Sequence, residues 1–431
     1  MNFARRALVI AAACSLLALP ARAQEAASVS SQGDVTIISQ PDSAATLVHV
    51  SLIVRAGLDR ETLAQNGLAA LTAQTILYTP VDGTPLAADV AGHGGSIRVY
   101  VDPTDVRFAI EALPQDANTV FALVGRALGA PSFDARAVNA ARTEITDTIG
   151  QNQQLALQVG MDMLNATASQ NANTGLPSLG VPGALAQLTP SDVKAFYDAF
   201  YRRGGTVVSA VGRIDALSQG ALASLASTLP AGSSNVVAVN LPKLNGTSRE
   251  VVAHRDIAAP WLIAQYPAPA VGSKDFGAML VLAAFMQRTL ADMAEVPGVV
   301  SPTFASRAVG ALYQYDRKTP NLTLYVNGGV GNPNRTFSTA LSVASILATT
   351  KLEGSIDEFK ALAAGDFTSG SMTLESRAWL ASVFVSRGLS PDYVTQALNA
   401  ISQTTGPDLQ RVAKTYLGNP TIALVLPRDS Q

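Results

Sequence analysis

Leu188-Thr189-Pro190-Ser191-Asp192-Val193 and, about 216 residues later, Thr405-Gly406-Pro407-Asp408-Leu409 open the same kind of segment. Each sets a Thr at the N-cap and an Asp three residues on, where hydroxyl and carboxylate can meet the free N–H groups and the positive end of a helix. Behind the first, Phe196, Tyr197, Phe200 and Tyr201 recur at helical spacing, Gly204-Gly205 breaks the helix, and Thr206-Val207-Val208-Ser209-Ala210-Val211 reads as a strand. Behind the second come Val412, Tyr416 and Leu417, then the stop Gly418-Asn419-Pro420 and the strand Thr421-Ile422-Ala423-Leu424-Val425-Leu426. The recurrence of a whole helix–stop–strand unit implies two related domains.

Working outward, each half starts with an alternating strand, continues into an Ala-rich helix, passes through further strands and ends in several helices. Strands are expected at 47–55, 96–100 and 106–113, then at 261–265 and 322–326. Helices are expected at 67–77, 118–128, 134–151 and 154–167, then at 277–293, 335–349, 356–364 and 374–385. The fold class is therefore α/β (α+β), each domain being a mainly antiparallel sheet packed with several helices. Between the halves, Ala231-Gly232-Ser233-Ser234 through Pro242-Lys243-Leu244-Asn245-Gly246-Thr247 is rich in turn formers and has no helical period. Domains are expected over 33–235 and 249–429, with a linker at 236–248.

The first residues read as an export signal. Arg5 and Arg6 precede an apolar run from Ala7 to Leu19 that ends in Ala21-Arg22-Ala23, a small-x-small cleavage site. Residues 1–23 are thus expected to be removed, leaving a periplasmic protein that begins near Gln24. The run is too short to span a bilayer, and no later stretch reaches that length without a charge or a breaker, so an integral membrane protein is not expected. The only cysteine, Cys14, lies inside this signal, so the remaining chain can form neither a disulfide nor a thiolate metal site. With 48% hydrophobic residues, 14% charged residues and a formal charge of −2 over all 431 residues, the full sequence has no basic field for nucleic acid and not the polarity of a disordered chain.

Several chemistries are excluded or explained by simpler roles. His49, His93 and His254 are the only histidines, and none lies three to five residues from another, which rules out a local His-pair metal site. His93 sits in a Gly-rich turn, and the other two flank strands and read as surface or satisfied core residues. No Gly-x-Ser-x-Gly elbow occurs. Ser191-Asp192-Val193-Lys194 has the Ser-x-x-Lys spacing but coincides with the capped helix start. The run Asn327-Gly328-Gly329-Val330-Gly331-Asn332-Pro333 lacks both the Walker lysine and the Gly-x-Gly-x-x-Gly spacing, and reads as a strand-to-helix turn.

The order of motifs along the chain resembles the insulinase/pitrilysin-type (M16) peptidases. In the first half the resemblance rests on Val54-Arg55-Ala56-Gly57, Glu61, Asn66-Gly67-Leu68-Ala69, Gly83-Thr84, Gly92-His93-Gly94-Gly95-Ser96 and Pro131-Ser132-Phe133-Asp134. In the second half it rests on Pro267-Ala268-Pro269, Leu374-Glu375-Ser376-Arg377 and Gly388-Leu389-Ser390-Pro391-Asp392-Tyr393. It implies two homologous M16-like domains. Active members carry His-x-x-Glu-His on the helix after the Gly-x-Ala step, because residues one turn apart can hold one zinc while the Glu activates its water. Those positions fall here on Ala70, Ala73 and Gln74, and the third ligand on Glu144, which is either an inherited remnant or an ordinary helix-surface charge. The Arg and Tyr that polarise the substrate carbonyl in active members align with Ala294 and Ser301, although Arg288 or Arg307 could take the Arg role in a shifted register.

The resemblance thus implies a pseudopeptidase: no catalytic residue, no metal and no cofactor. It implies a non-catalytic partner of an active M16-type peptidase subunit, or a binder of extended peptide. The alternatives are an essential half of a heteromeric zinc metallopeptidase that contributes substrate-binding residues, and a periplasmic binding or scaffolding protein.

Overall fold

A computed structural model describes residues 27–168, 173–217, 220–233, 249–294, 308–315, 319–328, 333–349 and 356–428. Alternating β-branched and aliphatic residues build the strands of the first half. They are β1 (Ser28–Gln32), β2 (Val35–Pro41), β3 (Val48–Val54), the short hairpin of β4 (Pro80–Val81) and β5 (Thr84–Pro85), β6 (Ser96–Val101), β7 (Val106–Ala112) and β8 (Val207–Gly212). In the second half come β9 (Arg249–Arg255), β10 (Trp261–Pro267), β11 (Val309–Gln314), β12 (Asn321–Asn327) and β13 (Thr421–Pro427). The first sheet runs β1-β2-β8-β3-β7-β6 and the second β11-β12-β10-β13-β9. Without β1, the order β2-β8-β3-β7-β6 repeats as β9-β13-β10-β12-β11. In each sheet one pair is parallel, β2 with β8 and β13 with β9, and the other pairs are antiparallel.

The motif that marks the repeat forms in both halves. The Asp192 N–H donates to Thr189 Oγ1 (3.3 Å) and the Thr189 N–H to Asp192 Oδ2 (2.8 Å), which closes a capping box on the helix Pro190–Phe200. Thr405 and Asp408 make the same pair of bonds at 3.4 and 3.1 Å on the helix Gly406–Tyr416. Proline follows each cap, where its missing N–H costs nothing. The Ser191…Lys194 spacing is accounted for by this cap.

One face of each sheet buries its own half's helices. Val48, Val50, Leu52 and Val54 alternate along β3 onto Leu71, Ile76, Phe121 and Phe196. Leu262, Ala264 and Tyr266 do the same along β10 onto Phe276, Met279 and Leu282. Side chains of this size contribute about 1.5–3 kcal/mol each when fully buried, so each half has its own apolar core.

The opposite faces are covered crosswise. The helix Leu374–Val385, from the second half, lies across β8 and β3 of the first sheet, and the helix Ala156–Ala168, from the first half, lies across β13, β10 and β9 of the second. The second contact depends on Gly160, where an added Cβ would stand 2.4 Å from Ile263 Cδ1. The bare backbone lets the helix settle on β10.

Candidate functional site

The helix Leu68–Leu77 carries the positions that resemblance assigns to zinc. Its start is fixed by Gly67, at φ 105°, and by the close approach of Gly180, whose added Cβ would stand 2.5 Å from Gly67 Cα. Only glycine tolerates either demand. No N-cap side chain serves this helix; Glu61 reaches in from the preceding loop. Its carboxylate accepts from the backbone N–H of Ala69 (2.6 Å) and of Gly67 (3.2 Å) and from Asn66 Nδ2 (3.2 Å). Burial pushes its pKa up to about 7 against the pull of these N–H donors.

The partner helix, Ala135–Asn152, is capped by Asp134, which accepts from the Ala137 N–H at 2.8 Å. It is pinned by Arg142, whose guanidinium donates to the carbonyls of Leu185 (3.2 Å) and Leu188 (2.6 Å). These anchors bring Glu144 beside Gln74. Gln74 Nε2 donates to Glu144 Oε2 at 2.8 Å, and the Tyr78 hydroxyl donates to the same oxygen at 2.6 Å. The Tyr78 phenol, hydrogen-bonded to that carboxylate, has its pKa pushed up to about 12, so it remains a donor.

The structure thus brings Gln74 and Glu144 into contact. Ala70 and Ala73 lie on the same helix but are buried in the apolar core, at 3% and 0% exposure. Glu144 is exposed on its helix and faces Gln74. It is more than a solvated charge, because two neutral donors hold it. Tyr78 escaped the sequence reading, although it stands one helical turn beyond Gln74 on the same face. Ala294 ends the helix Phe276–Ala294, and Ser301 lies outside the described residues, as does Arg307. Arg288 pairs with Asp292 one turn along that helix, at 3.0 Å.

As a zinc site this donor set does not fit. Structural and catalytic zinc take three or four His, Cys or carboxylate ligands, whereas the set offers one carboxylate, one neutral amide and two methyl groups. Among the described residues no group of three or more His, Cys, Asp or Glu side chains could hold a metal ion. What the arrangement can do is fix two helices to each other through a shared carboxylate oxygen.

Of the histidines, His93 is placed as expected and His49 is not. His93 follows the helix Leu86–Gly92 in a turn, 3.9 Å from Asp116. His49 is neither on the surface nor satisfied: it is fully buried on β3, and among the described residues neither ring nitrogen has a partner. Burial holds its pKa down to about 4. The reason is the Leu374–Val385 helix, which covers a sheet face that local sequence leaves open to water.

Residues 36–181 match the model of the insulinase family (peptidase family M16). No curated protein matches the chain in sequence. Among solved structures, a protease from Helicobacter pylori is similar at 15% identity with a TM-score of 0.78, covering 93% of this chain and 99% of that one. A peptidase M16 inactive domain from Pseudomonas fluorescens is similar at 15% identity with a TM-score of 0.75, covering 93% and 98%. A chain of Complex III2 from Candida albicans is similar at 14% identity with a TM-score of 0.72, covering 92% and 95%. Residues 36–181 thus match the insulinase (M16) family in sequence, and over most of its length the chain shares the fold of these solved structures.

Proposed function

We propose that this chain is an exported M16-type protein that holds an extended peptide, or an active M16-type peptidase subunit, without cutting peptide bonds itself. The observation that carries this reading is the state of Glu144. Its carboxylate is occupied by the Gln74 amide and the Tyr78 hydroxyl, next to alanines that supply neither a ligand nor a base. Peptide hydrolysis of this type needs a metal-activated water and a group to move its proton. Binding needs neither, because an edge strand such as β6 offers backbone N–H and C=O groups that an extended peptide can pair with. The likeness to an M16 inactive domain supports the non-catalytic reading, and the likeness to a chain of Complex III2 supports a role as a subunit.

The test is to incubate the purified mature chain with a fluorescent library of extended peptides in the presence of added zinc, and to read anisotropy and cleavage together. Binding without cleavage is expected. Chelator-sensitive cleavage by the isolated chain would overturn the reading.

A further inference from the structure

Beneath the helix Leu374–Val385, five side-chain atoms are buried without a hydrogen-bond partner among the described residues: both ring nitrogens of His49, the hydroxyls of Ser51 and Ser209, and Nε of Arg107. They share one face of the first sheet. His49, Ser51 and Ile53 alternate along β3, Ser51 lies opposite Ser209 on β8, and Ile53 lies opposite Arg107 on β7. His49, Ser51 and Ser209 are fully buried. Each buried polar group left unpaired costs about 1–3 kcal/mol, so this face favours the contact far less than an apolar one would.

What holds the helix down lies at the edge of that patch. Glu375 accepts from Arg98 Nη2 (2.6 Å), from the Tyr100 hydroxyl (3.2 Å) and from Arg107 Nη1 (3.4 Å). The Arg107 guanidinium stacks 4.0 Å from the Tyr100 ring centroid and 5.3 Å from that of Trp379. Arg377 Nη1 donates to Asp42 Oδ2 at 2.6 Å.

We propose that this contact is an acid-sensitive clasp: protonation of His49 releases the Leu374–Val385 helix from the first sheet, while the Ala156–Ala168 helix stays seated on the second. The titratable and charged groups around His49 are Glu375 and Arg377 from the helix, Arg107 and Glu111 from β7, Arg98 and Tyr100 from β6, and Asp42 beyond β2; β8 brings none. Glu375 draws a proton toward the ring, but it is already engaged by Arg98 and Arg107, which repel one.

The sign follows from the burial. In the closed form the imidazole pKa is held down to about 4, and in the released form it returns toward its ordinary value of about 6.5. The open form therefore binds more protons below that value, and falling pH favours opening until both forms are protonated near pH 4. Between pH 7 and pH 5 the opening equilibrium shifts about twentyfold toward the open form.

Amide hydrogen exchange on the mature full chain at pH 7 and pH 5, corrected for intrinsic rates, tests this. Protection of the Leu374–Val385 amides is expected to fall about twentyfold, while that of the Ala156–Ala168 amides changes less than about threefold. In His49→Leu, which takes up no proton, protection should be equal at the two pH values. Unchanged protection in the wild type, or a loss that persists in His49→Leu, would overturn the clasp. A measurement that needs no variant is the NMR titration of the His49 ring in the intact protein, where a pKa near 4 is expected and one near 6.5 contradicts the proposal.

Discussion

On the second sheet, the Ala156–Ala168 helix meets Ile263, Ala423 and Val425, with Trp261 and Tyr325 packed alongside. On the first, the Leu374–Val385 helix meets Ile38 and Val207 through Ala381, and beside these few apolar groups stand His49, Ser51, Ser209 and Arg107. The two contacts occupy equivalent places in a duplicated fold, yet the one on the second sheet is centred on apolar side chains, with Gln265 Nε2 unpaired at its edge, and the other carries five unpaired polar atoms and is held at its rim by ion pairs. The difference shows that duplication fixes where a covering helix goes and leaves its chemistry free. An apolar contact loses free energy with every atom withdrawn. A contact with unpaired polar atoms regains part of its cost when water reaches them.

Ile263 sits at the centre of the contact on the second sheet. It is fully buried beneath Gly160, so Ile263→Ala removes the centre of the apolar contact and is expected to lower the unfolding free energy by about 3 kcal/mol. Denaturant titration of wild type and variant checks this, and a loss no larger than that of an exposed aliphatic such as Ile346 would contradict the packing.

A smaller effect is expected from Glu375→Gln. Arg107 is only 8% exposed and would lose its carboxylate while keeping its stacking on Tyr100 and Trp379. Because Glu375 is itself partly exposed, the expected loss is about 1–2 kcal/mol, and it should shrink at high salt. A salt-independent loss would mean that shape and not charge holds the rim.

Much of this architecture was legible in the sequence where a signal is local. The paired Thr-x-x-Asp caps, the alternation of β3 and β10 and the glycine stops are properties of neighbouring residues, and each formed as read. β1, β2, β9, β11 and the short β4–β5 hairpin were not anticipated. β9, Arg-Glu-Val-Val-Ala-His-Arg, is a polar edge strand recruited by parallel pairing with β13, a partner that arrives only at the other end of the chain. The short helices Leu86–Gly92 and Ala221–Ser227 span too few residues to display a period.

At the candidate site, resemblance located Gln74 and Glu144, and the structure supplied the hydrogen bond between them. Tyr78 went unseen because a tyrosine on an Ala-rich helix has no distinguishing pattern. The burial of His49 was illegible for a different reason. Its strand alternates as a one-faced strand should, and only the distant Leu374–Val385 helix removes the polar face from water.

The Gln74–Tyr78–Glu144 arrangement ties two helices together through one carboxylate oxygen, and its residues do not make a zinc ligand set. The most direct test is elemental analysis of the purified mature chain after mild dialysis, alongside Ala70→His/Ala73→Glu/Gln74→His with and without Glu144→Gln. The wild type should hold substoichiometric zinc, and the triple variant, which supplies two imidazoles one turn apart near Glu144, should gain zinc that Glu144→Gln takes away. One tightly held zinc per wild-type chain would contradict the account.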